Sequence, residues 1–260
     1  MLAPLLKRLH NLRDRQWEAA PTFKAEIPGE IAPITAPFDH GLRIGTRRDA
    51  SAEEVDMAIT KAEAIQPGWN ALGGEKRAAL LEAAADEFEA HTDEILSLCQ
   101  LEAGKTIVDS VLELREAVDF LRYYATEARR LFAEPTPLPG PTGEENYLKL
   151  AGRGVFATIS PWNFPLAIFT GQILANLAAG NAVVAKPAEQ TSLLAFRAVE
   201  LMHQAGIPRA AIQLLPGTGA TVGSGLTSDA RVTGVCFTGS TATAQRINKA
   251  LDEMMQRIHR

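Results

Sequence analysis

The stretch RGVFATISPWNFPLAIFTGQILANLAAGNAVVAKPAE, residues 153–189, decides the fold. Val155–Ser160 predicts a buried strand, Leu166–Ala179 a buried helix and Ala182–Ala185 a second strand. No charged residue falls between Gly154 and Ala185, which is typical of a parallel strand and a helix that are covered on both sides. We reject a membrane span, because prolines and asparagines interrupt the apolar run and its glycines and prolines fall at turn positions.

The same alternation continues toward the C-terminus. The sequence predicts, in order, a helix over Ser192–Ala205, a strand over Ile212–Leu215, a short helix over Thr221–Leu226, a strand over Arg231–Phe237 and a helix from Thr241 onward. Strands that alternate with helices indicate an α/β protein with a doubly wound, parallel, Rossmann-like sheet.

Helices that are rich in charged residues and have a single apolar face are predicted before this region. They are expected to form an N-terminal helical cover. Ser51 and Glu54 have the spacing of a capping box at the start of the first helix, and Pro67-Gly68 is expected to end it. Further helices are predicted over Glu75–Ala90, Thr92–Ala103 and Ile107–Phe132, and the prolines from 135 to 141 exclude helix beyond.

The first twenty residues carry leucines at helical spacing and predict an amphipathic helix. A docking or linker helix is favoured over an organelle transit peptide, because the serine enrichment of transit peptides is absent. We therefore divide the chain into a leader or linker, residues 1–40, and one domain, residues 41–260.

Composition sets limits on the function. The 260 residues are 46% hydrophobic and 22% charged, with a net charge of −5, as in an ordinary globular protein with no general attraction to nucleic acid. The two cysteines, Cys99 and Cys236, are too few for a disulfide scaffold and favour a reducing, cytoplasmic location. The five histidines lack metal-ligand spacing, so no metal site is predicted.

Polar groups follow three of the predicted strands, at the edge where parallel sheets bind ligands. Lys186 and Glu189 could bind ribose hydroxyls or phosphate, Ser240 begins a helix whose N-terminus favours pyrophosphate, and Asn163 could donate to an oxyanion. Each also has a structural explanation. Asn163 could form an Asx turn, Lys186 and Glu189 a surface pair, and Ser240 an ordinary N-cap.

The glycines from Gly217 to Gly223 give only a weak signal, because their spacing departs from G-x-G-x-x-G. Together with three other segments, Ile159–Leu166, Val184–Glu189 and Phe237–Thr241, the stretch Leu215–Gly223 nevertheless resembles successive motifs of the NAD(P)-dependent aldehyde dehydrogenase superfamily. Arg115–Ala125, Leu138–Glu144 and Gly152–Phe156 resemble its 1-pyrroline-5-carboxylate (L-glutamate γ-semialdehyde) dehydrogenase branch, in the form found in bifunctional proline-utilisation enzymes.

The resemblance implies roles for individual residues. Asn163 matches the oxyanion-hole asparagine, and Phe164 an aromatic that lines the aldehyde tunnel. Lys186 and Glu189 match the pair that holds the adenosine ribose, and the glutamate favours NAD over NADP. Ser240 matches a pyrophosphate contact. The candidate cofactor-binding residues are Ile159, Ser160, Pro161, Trp162, Asn163, Lys186, Ala188, Glu189, Gly217, Gly219, Gly223, Phe237, Thr238, Gly239 and Ser240.

The implied activity is NAD-dependent oxidation of an aldehyde, L-glutamate γ-semialdehyde in proline catabolism, by a homo-oligomeric enzyme. The family's general-base glutamate and nucleophilic cysteine would follow Arg260, so this chain is expected to be an incomplete NAD-binding domain without the catalytic domain, and inactive alone. Residues after Leu251 also look unlike the family. Cys236 is expected to be a core residue, and Cys99 lies far from the motifs in sequence.

A second hypothesis is a non-catalytic module that binds a nucleotide or assembles with a full-length dehydrogenase. A third is an inactive truncated product. The segment Thr241–Arg260 is expected to discriminate between an incomplete dehydrogenase and a non-catalytic module. A helix that covers the sheet edge would favour a stable standalone domain.

Overall fold

A computed structural model describes residues 2–23 and 29–258. The helices are α1 (Leu2–Leu12), α2 (Ala52–Ala71), α3 (Gly73–Ala90), α4 (Thr92–Leu101), α5 (Ile107–Phe132), α6 (Ala167–Ala178), α7 (Ser192–Gln204), α8 (Ser224–Ser228) and α9 (Thr241–Ile258). The strands are β1 (Trp17–Ala19), β2 (Ile31–Ala36), β3 (Asp39–Arg48), β4 (Thr136–Leu138), β5 (Asn146–Leu148), β6 (Val155–Ile159), β7 (Ala182–Lys186), β8 (Ile212–Leu214) and β9 (Val232–Phe237).

The main sheet has the order β8-β7-β6-β9, and all its neighbouring strands are parallel. Alternate residues of β7 face opposite sides: Val183 and Ala185 join the core formed with α6 and α7, whereas Ala182 and Val184 join the core formed with α2 and α8. Helices therefore cover both faces, and the predicted doubly wound parallel sheet is confirmed.

The register brings the carboxyl ends of three strands together. Ile159, at the end of β6, lies opposite Lys186 of β7 and Phe237 of β9. Residues that follow these strands consequently meet at one edge of the sheet.

Buried carboxylates of the helical cover fix the helices that pack on the sheet. Glu102 accepts two 2.8 Å hydrogen bonds from the backbone N–H groups at the start of α7. Glu113 accepts two more at the start of α6 and forms a 2.9 Å ion pair with Lys105. Side-chain oxygens at a helix N-terminus satisfy backbone N–H groups that have no partner within the helix.

The capping box of α2 is confirmed, because the Ser51 hydroxyl and the Glu54 carboxylate each accept the other residue's backbone N–H. The predicted end at Pro67-Gly68 is wrong, since α2 continues to Ala71. Trp69 explains the continuation. Its indole is buried and donates a 3.1 Å hydrogen bond to the Leu177 carbonyl, which offsets the backbone bond that Pro67 cannot make.

The N-terminal helix is shorter than predicted. It ends at Leu12, and Trp17–Ala19 pairs with β3 in a second sheet of order β1-β3-β2. Trp17 and Ala19 are buried, so tertiary packing favours a strand there. The domain boundary at residue 40 stays a prediction.

Strand β9 is more exposed than expected. It forms an edge of the four-stranded sheet, and Cys236 is only half-buried, so the prediction of a core cysteine in a buried strand is wrong. An edge strand has a neighbour on one side only, and its side chains are covered less completely. Among the described residues, no helix combines the length and apolar character needed to cross a bilayer.

We expect the stability of the fold to fall below about pH 6.5 because of His203. Its Nε2 lies 3.0 Å from the Ile212 carbonyl, its Nδ1 is buried without a partner in the described structure, and burial lowers its pKa. Folding then favours the neutral ring, whereas the unfolded chain binds a proton at its ordinary pKa. Urea unfolding at pH 7.5 and 5.5 should show a smaller loss of stability in His203→Gln than in the wild type; equal losses would contradict this assignment.

Candidate functional site

A cleft of about 1030 Å³ lies at the carboxyl ends of β6, β7 and β9. Its floor is the main sheet, and α8 and α9 contribute one wall. Each residue of the predicted site except Gly217 lines this cleft: Ile159, Ser160, Pro161, Trp162, Asn163, Phe164, Lys186, Ala188, Glu189, Gly219, Gly223, Phe237, Thr238, Gly239 and Ser240. The sequence identified polar residues after three separate strands, and the structure shows that all three groups line the same cleft.

Gly217 is buried and does not line the cleft. It lies in the turn after β8. It has φ +148°, and a Cβ there would lie 2.7 Å from a methyl carbon of Val222. Only glycine fits this turn without a shift of the neighbouring side chain. Thr218, the next residue, accepts a hydrogen bond from the Thr221 backbone and begins a short π-helical turn over Gly219–Gly223.

Lys186 is a buried cation at the end of β7. Its ammonium donates a 2.9 Å hydrogen bond to the Pro187 carbonyl, and only 5% of the residue is exposed. Burial lowers its pKa, and the nearby Glu189 carboxylate opposes that shift. The alternative of a surface ion pair is therefore wrong for Lys186, because a solvated pair would not bury the ammonium.

Glu189 lies across the cleft edge from the glycine turn. One carboxylate oxygen, Oε1, accepts a 3.2 Å hydrogen bond from the Gly219 backbone N–H. The other oxygen has no hydrogen bond to the described residues. A carboxylate fixed in this way retains acceptor capacity for a hydroxyl-bearing ligand.

The Pro161–Pro165 segment presents exposed side chains to the cleft. Trp162 and Phe164 are 58% and 42% exposed, and the Lys105 ammonium lies 4.8 Å from the centroid of the Phe164 ring. The Asn163 side chain makes no hydrogen bond within the described part of the chain, so the Asx turn is not formed. Its amide is free to donate to a ligand.

Ser240 is the N-cap of α9, as its structural explanation predicts. Its hydroxyl accepts a 3.2 Å hydrogen bond from the Thr243 backbone N–H and lies 3.0 Å from the Thr243 hydroxyl. Ser240 also lines the cleft and is exposed. A capping role and a ligand contact are compatible, since a hydroxyl oxygen has two acceptor positions.

Nine residues that line the cleft were not predicted from the sequence. Ile168 lies on α6, and the others lie on α8, on α9 or in the glycine turn before α8: Ala220, Ser224, Thr227, Ser228, Thr243, Arg246, Ile247 and Ala250. The α9 members recur at helical spacing from Thr243, so the helical period, applied from the end of β9, could have identified them.

Neither cysteine lines the cleft. Cys99 is fully buried on α4, and burial raises the pKa of its thiol, which disfavours a nucleophilic thiolate. The Cys236 sulfur accepts a 3.3 Å contact from the Asn176 side-chain amide. In residues 2–23 and 29–258, no cluster of three His, Cys, Asp or Glu side chains has the geometry of a metal site.

This cleft at the end of a doubly wound sheet agrees with a comparison to known families. Residues 25–260 match the aldehyde dehydrogenase family, and the chain belongs to that family. The match reaches residue 260, so the expectation that residues after Leu251 depart from the family is wrong.

Several individual members of the family are similar to this chain in sequence or structure. The chain is 45% identical over 249 residues to the bifunctional protein PutA of Klebsiella aerogenes, covering 95% of this chain and 18% of the relative. A PutA structure from Bdellovibrio bacteriovorus superposes with a TM-score of 0.90 at 32% identity, covering 95% of this chain and 26% of that one. The structure of a point mutant of Thermus thermophilus 1-pyrroline-5-carboxylate dehydrogenase gives a TM-score of 0.90 at 30% identity, covering 95% and 48%. The chain thus spans about a fifth of the PutA relatives.

Proposed function

We propose that this chain is the cofactor-binding part of an NAD-dependent aldehyde dehydrogenase. The observation that carries the proposal is the convergence of Lys186, Glu189, Ser240 and the Asn163 segment on one cleft. Relatives named 1-pyrroline-5-carboxylate dehydrogenase and bifunctional PutA support L-glutamate γ-semialdehyde as the aldehyde. We also propose a homo-oligomeric, cytoplasmic enzyme.

The residues present fit a dinucleotide. The Glu189 carboxylate and the Lys186 side chain both line the cleft, where a carboxylate can accept hydrogen bonds from ribose hydroxyls. The N-terminus of α9, an 18-residue helix, lies at the Ser240 wall, where a pyrophosphate is favoured. A Cβ built on Gly219 meets nothing within 4 Å, so the turn leaves room for close approach of a ligand.

NAD supplies the hydride acceptor for the oxidation when it is bound. Glu189 and Lys186 orient its adenosine end, and Glu189 repels a 2′-phosphate, which favours NAD over NADP. Asn163 donates its amide hydrogen to the oxygen that gains negative charge as the aldehyde is attacked. Phe164 and Trp162 present apolar surface beside that position.

A calorimetric titration with NAD, with an aldehyde turnover assay on the same sample, tests the proposal. Because Cys99 and Cys236 do not line the cleft, we expect the 260-residue chain to bind NAD without turning over aldehyde. Absence of NAD binding would contradict the proposal. Joining the chain to the catalytic domain of a relative then separates the hypotheses, since turnover supports a dehydrogenase and its absence a non-catalytic nucleotide-binding module.

Replacing Lys186 with methionine is expected to raise the dissociation constant for NAD about 10- to 100-fold, since a hydrogen bond from a charged donor contributes about 1.5–3 kcal/mol. Lys249→Met is the matched control, because Lys249 is exposed on α9 and does not line the cleft. Calorimetry should show an unchanged constant for this control. Equal affinities of Lys186→Met and the wild type would rule out the ribose role.

A further inference from the structure

Arg47, at the end of β3, contacts the backbone of the candidate ribose-binding residue. Its Nη1 donates a 2.5 Å hydrogen bond to the Glu189 carbonyl. Strand β3 belongs to the second sheet and is remote in sequence from the cleft motifs. Neither the sequence pattern nor the family resemblance pointed to this residue.

Asp49 holds the Arg47 guanidinium in a two-pronged ion pair. Nε donates to one carboxylate oxygen at 2.5 Å and Nη2 to the other at 3.2 Å. The side chains are only 17% and 35% exposed, and such a planar fork fixes orientation as well as distance. The next residue, Ala50, donates a 2.8 Å backbone hydrogen bond to the Pro216 carbonyl. The end of β3 is therefore tied to both loops that border the ribose end of the cleft.

Glu189 is consequently held at two points. Arg47 fixes its carbonyl, and the Gly219 N–H fixes carboxylate oxygen Oε1. Its carboxylate therefore keeps one defined position, with the second oxygen left for a ligand.

The charges around this position are balanced. Lys186 and Glu189 line the cleft, whereas the Arg47–Asp49 pair lies behind them, outside the lining, at the Glu189 backbone, so two cations and two anions lie near the ribose end. An unpaired arginine at such a position would attract a 2′-phosphate, as in NADP-binding proteins. Asp49 occupies the guanidinium and removes that attraction.

We propose that Arg47 is a positioning residue for Glu189, and that the Arg47–Asp49 pair sets the preference for a free ribose 2′-hydroxyl over a 2′-phosphate. The inference rests on the proposed binding of NAD in this cleft. It assigns a different effect to the loss of each partner. Loss of Arg47 frees Glu189 and weakens NAD binding, whereas loss of Asp49 frees Arg47 and strengthens NADP binding.

Calorimetric titrations of the 260-residue chain with NAD and with NADP test this inference. For Arg47→Ala we expect an NAD dissociation constant raised about tenfold, as loss of one charge-assisted hydrogen bond implies. For Asp49→Ala we expect the NADP constant to fall about tenfold relative to that of NAD, because the guanidinium beside Glu189 then carries an unpaired charge that attracts the phosphate. Arg47→Lys should restore NAD affinity only in part, because an ammonium cannot form the fork.

Arg231→Ala is the matched control. Arg231 forms the same type of two-pronged ion pair with Asp229, two residues away, and does not line the cleft. Its NAD and NADP constants should equal those of the wild type, and thermal unfolding of each variant checks that it is folded.

The outcomes separate the two proposals. If the wild type does not bind NAD, the proposed function fails and the inference fails with it. If the wild type binds NAD but Arg47→Ala binds NAD as tightly as the wild type, or Asp49→Ala leaves the ratio of the NADP and NAD dissociation constants unchanged, only the inference is overturned. Equal weakening of NAD and NADP binding in both variants would also overturn it, because a merely structural role predicts that result.

Discussion

Replacing Arg77 with methionine is expected to lower the free energy of unfolding by about 3–5 kcal/mol, since each buried carbonyl left unpaired costs about 1–3 kcal/mol. Arg77 is 1% exposed, and its guanidinium donates to the Ala178 carbonyl at 3.1 Å and to the Asn70 carbonyl at 2.8 Å. These two carbonyls end α6 and α2, which pack on opposite faces of the main sheet. One side chain therefore caps both helices.

Urea unfolding at neutral pH measures this loss, and Arg122→Met is the control. Arg122 is an exposed arginine that pairs with Glu89 at 2.7 Å, and such a surface pair contributes only about 0–1 kcal/mol. Arg77→Lys should remain well below the wild type, because one ammonium cannot reproduce the geometry of the planar fork. A loss below about 1 kcal/mol in Arg77→Met would show that water satisfies the two helix ends.

Local signals in the sequence were sufficient for the isolated elements. Helix α5 begins at Ile107 and ends at Phe132 as predicted, because Thr106 caps its first turn and prolines follow its last. The end of α2 was not predictable in this way. Pro67 is a correct local stop signal, but Trp69 is buried against α6, and a contact between residues 108 positions apart has no local signature in the sequence.

The candidate site likewise contains residues that local sequence signals predicted and residues that depend on tertiary contacts. Strand ends located Lys186, Glu189 and Ser240, because parallel strands must place their carboxyl ends at one edge. Arg47 was not found, since its role depends on a hydrogen bond to the Glu189 carbonyl, 142 positions away, and nothing near Arg47 in the sequence indicates it. The positions of Glu102 and Glu113 at helix N-termini are likewise tertiary and were not predicted.

Replacing Asn163 with alanine is expected to reduce turnover about 10²- to 10³-fold, the usual effect of removing one oxyanion donor. The measurement requires an active dehydrogenase, for example this chain joined to the catalytic domain of a relative. Asn248→Ala is the control, because Asn248 is exposed on α9 and does not line the cleft. Its turnover should match that of the unmodified protein.

The role of Asn163 is identified by whether its replacement changes kcat or the dissociation constant for NAD. The side chain is exposed and makes no hydrogen bond to the described residues, so its removal leaves the fold and the ribose end of the cleft intact. An amide that binds the oxygen only as charge develops lowers the barrier without tightening ground-state binding, and its loss therefore appears in kcat. The dissociation constant for NAD should change by less than about twofold, because the ligand's adenosine end is held by groups on other strands. A large rise in that constant with unchanged kcat would instead assign Asn163 to cofactor binding.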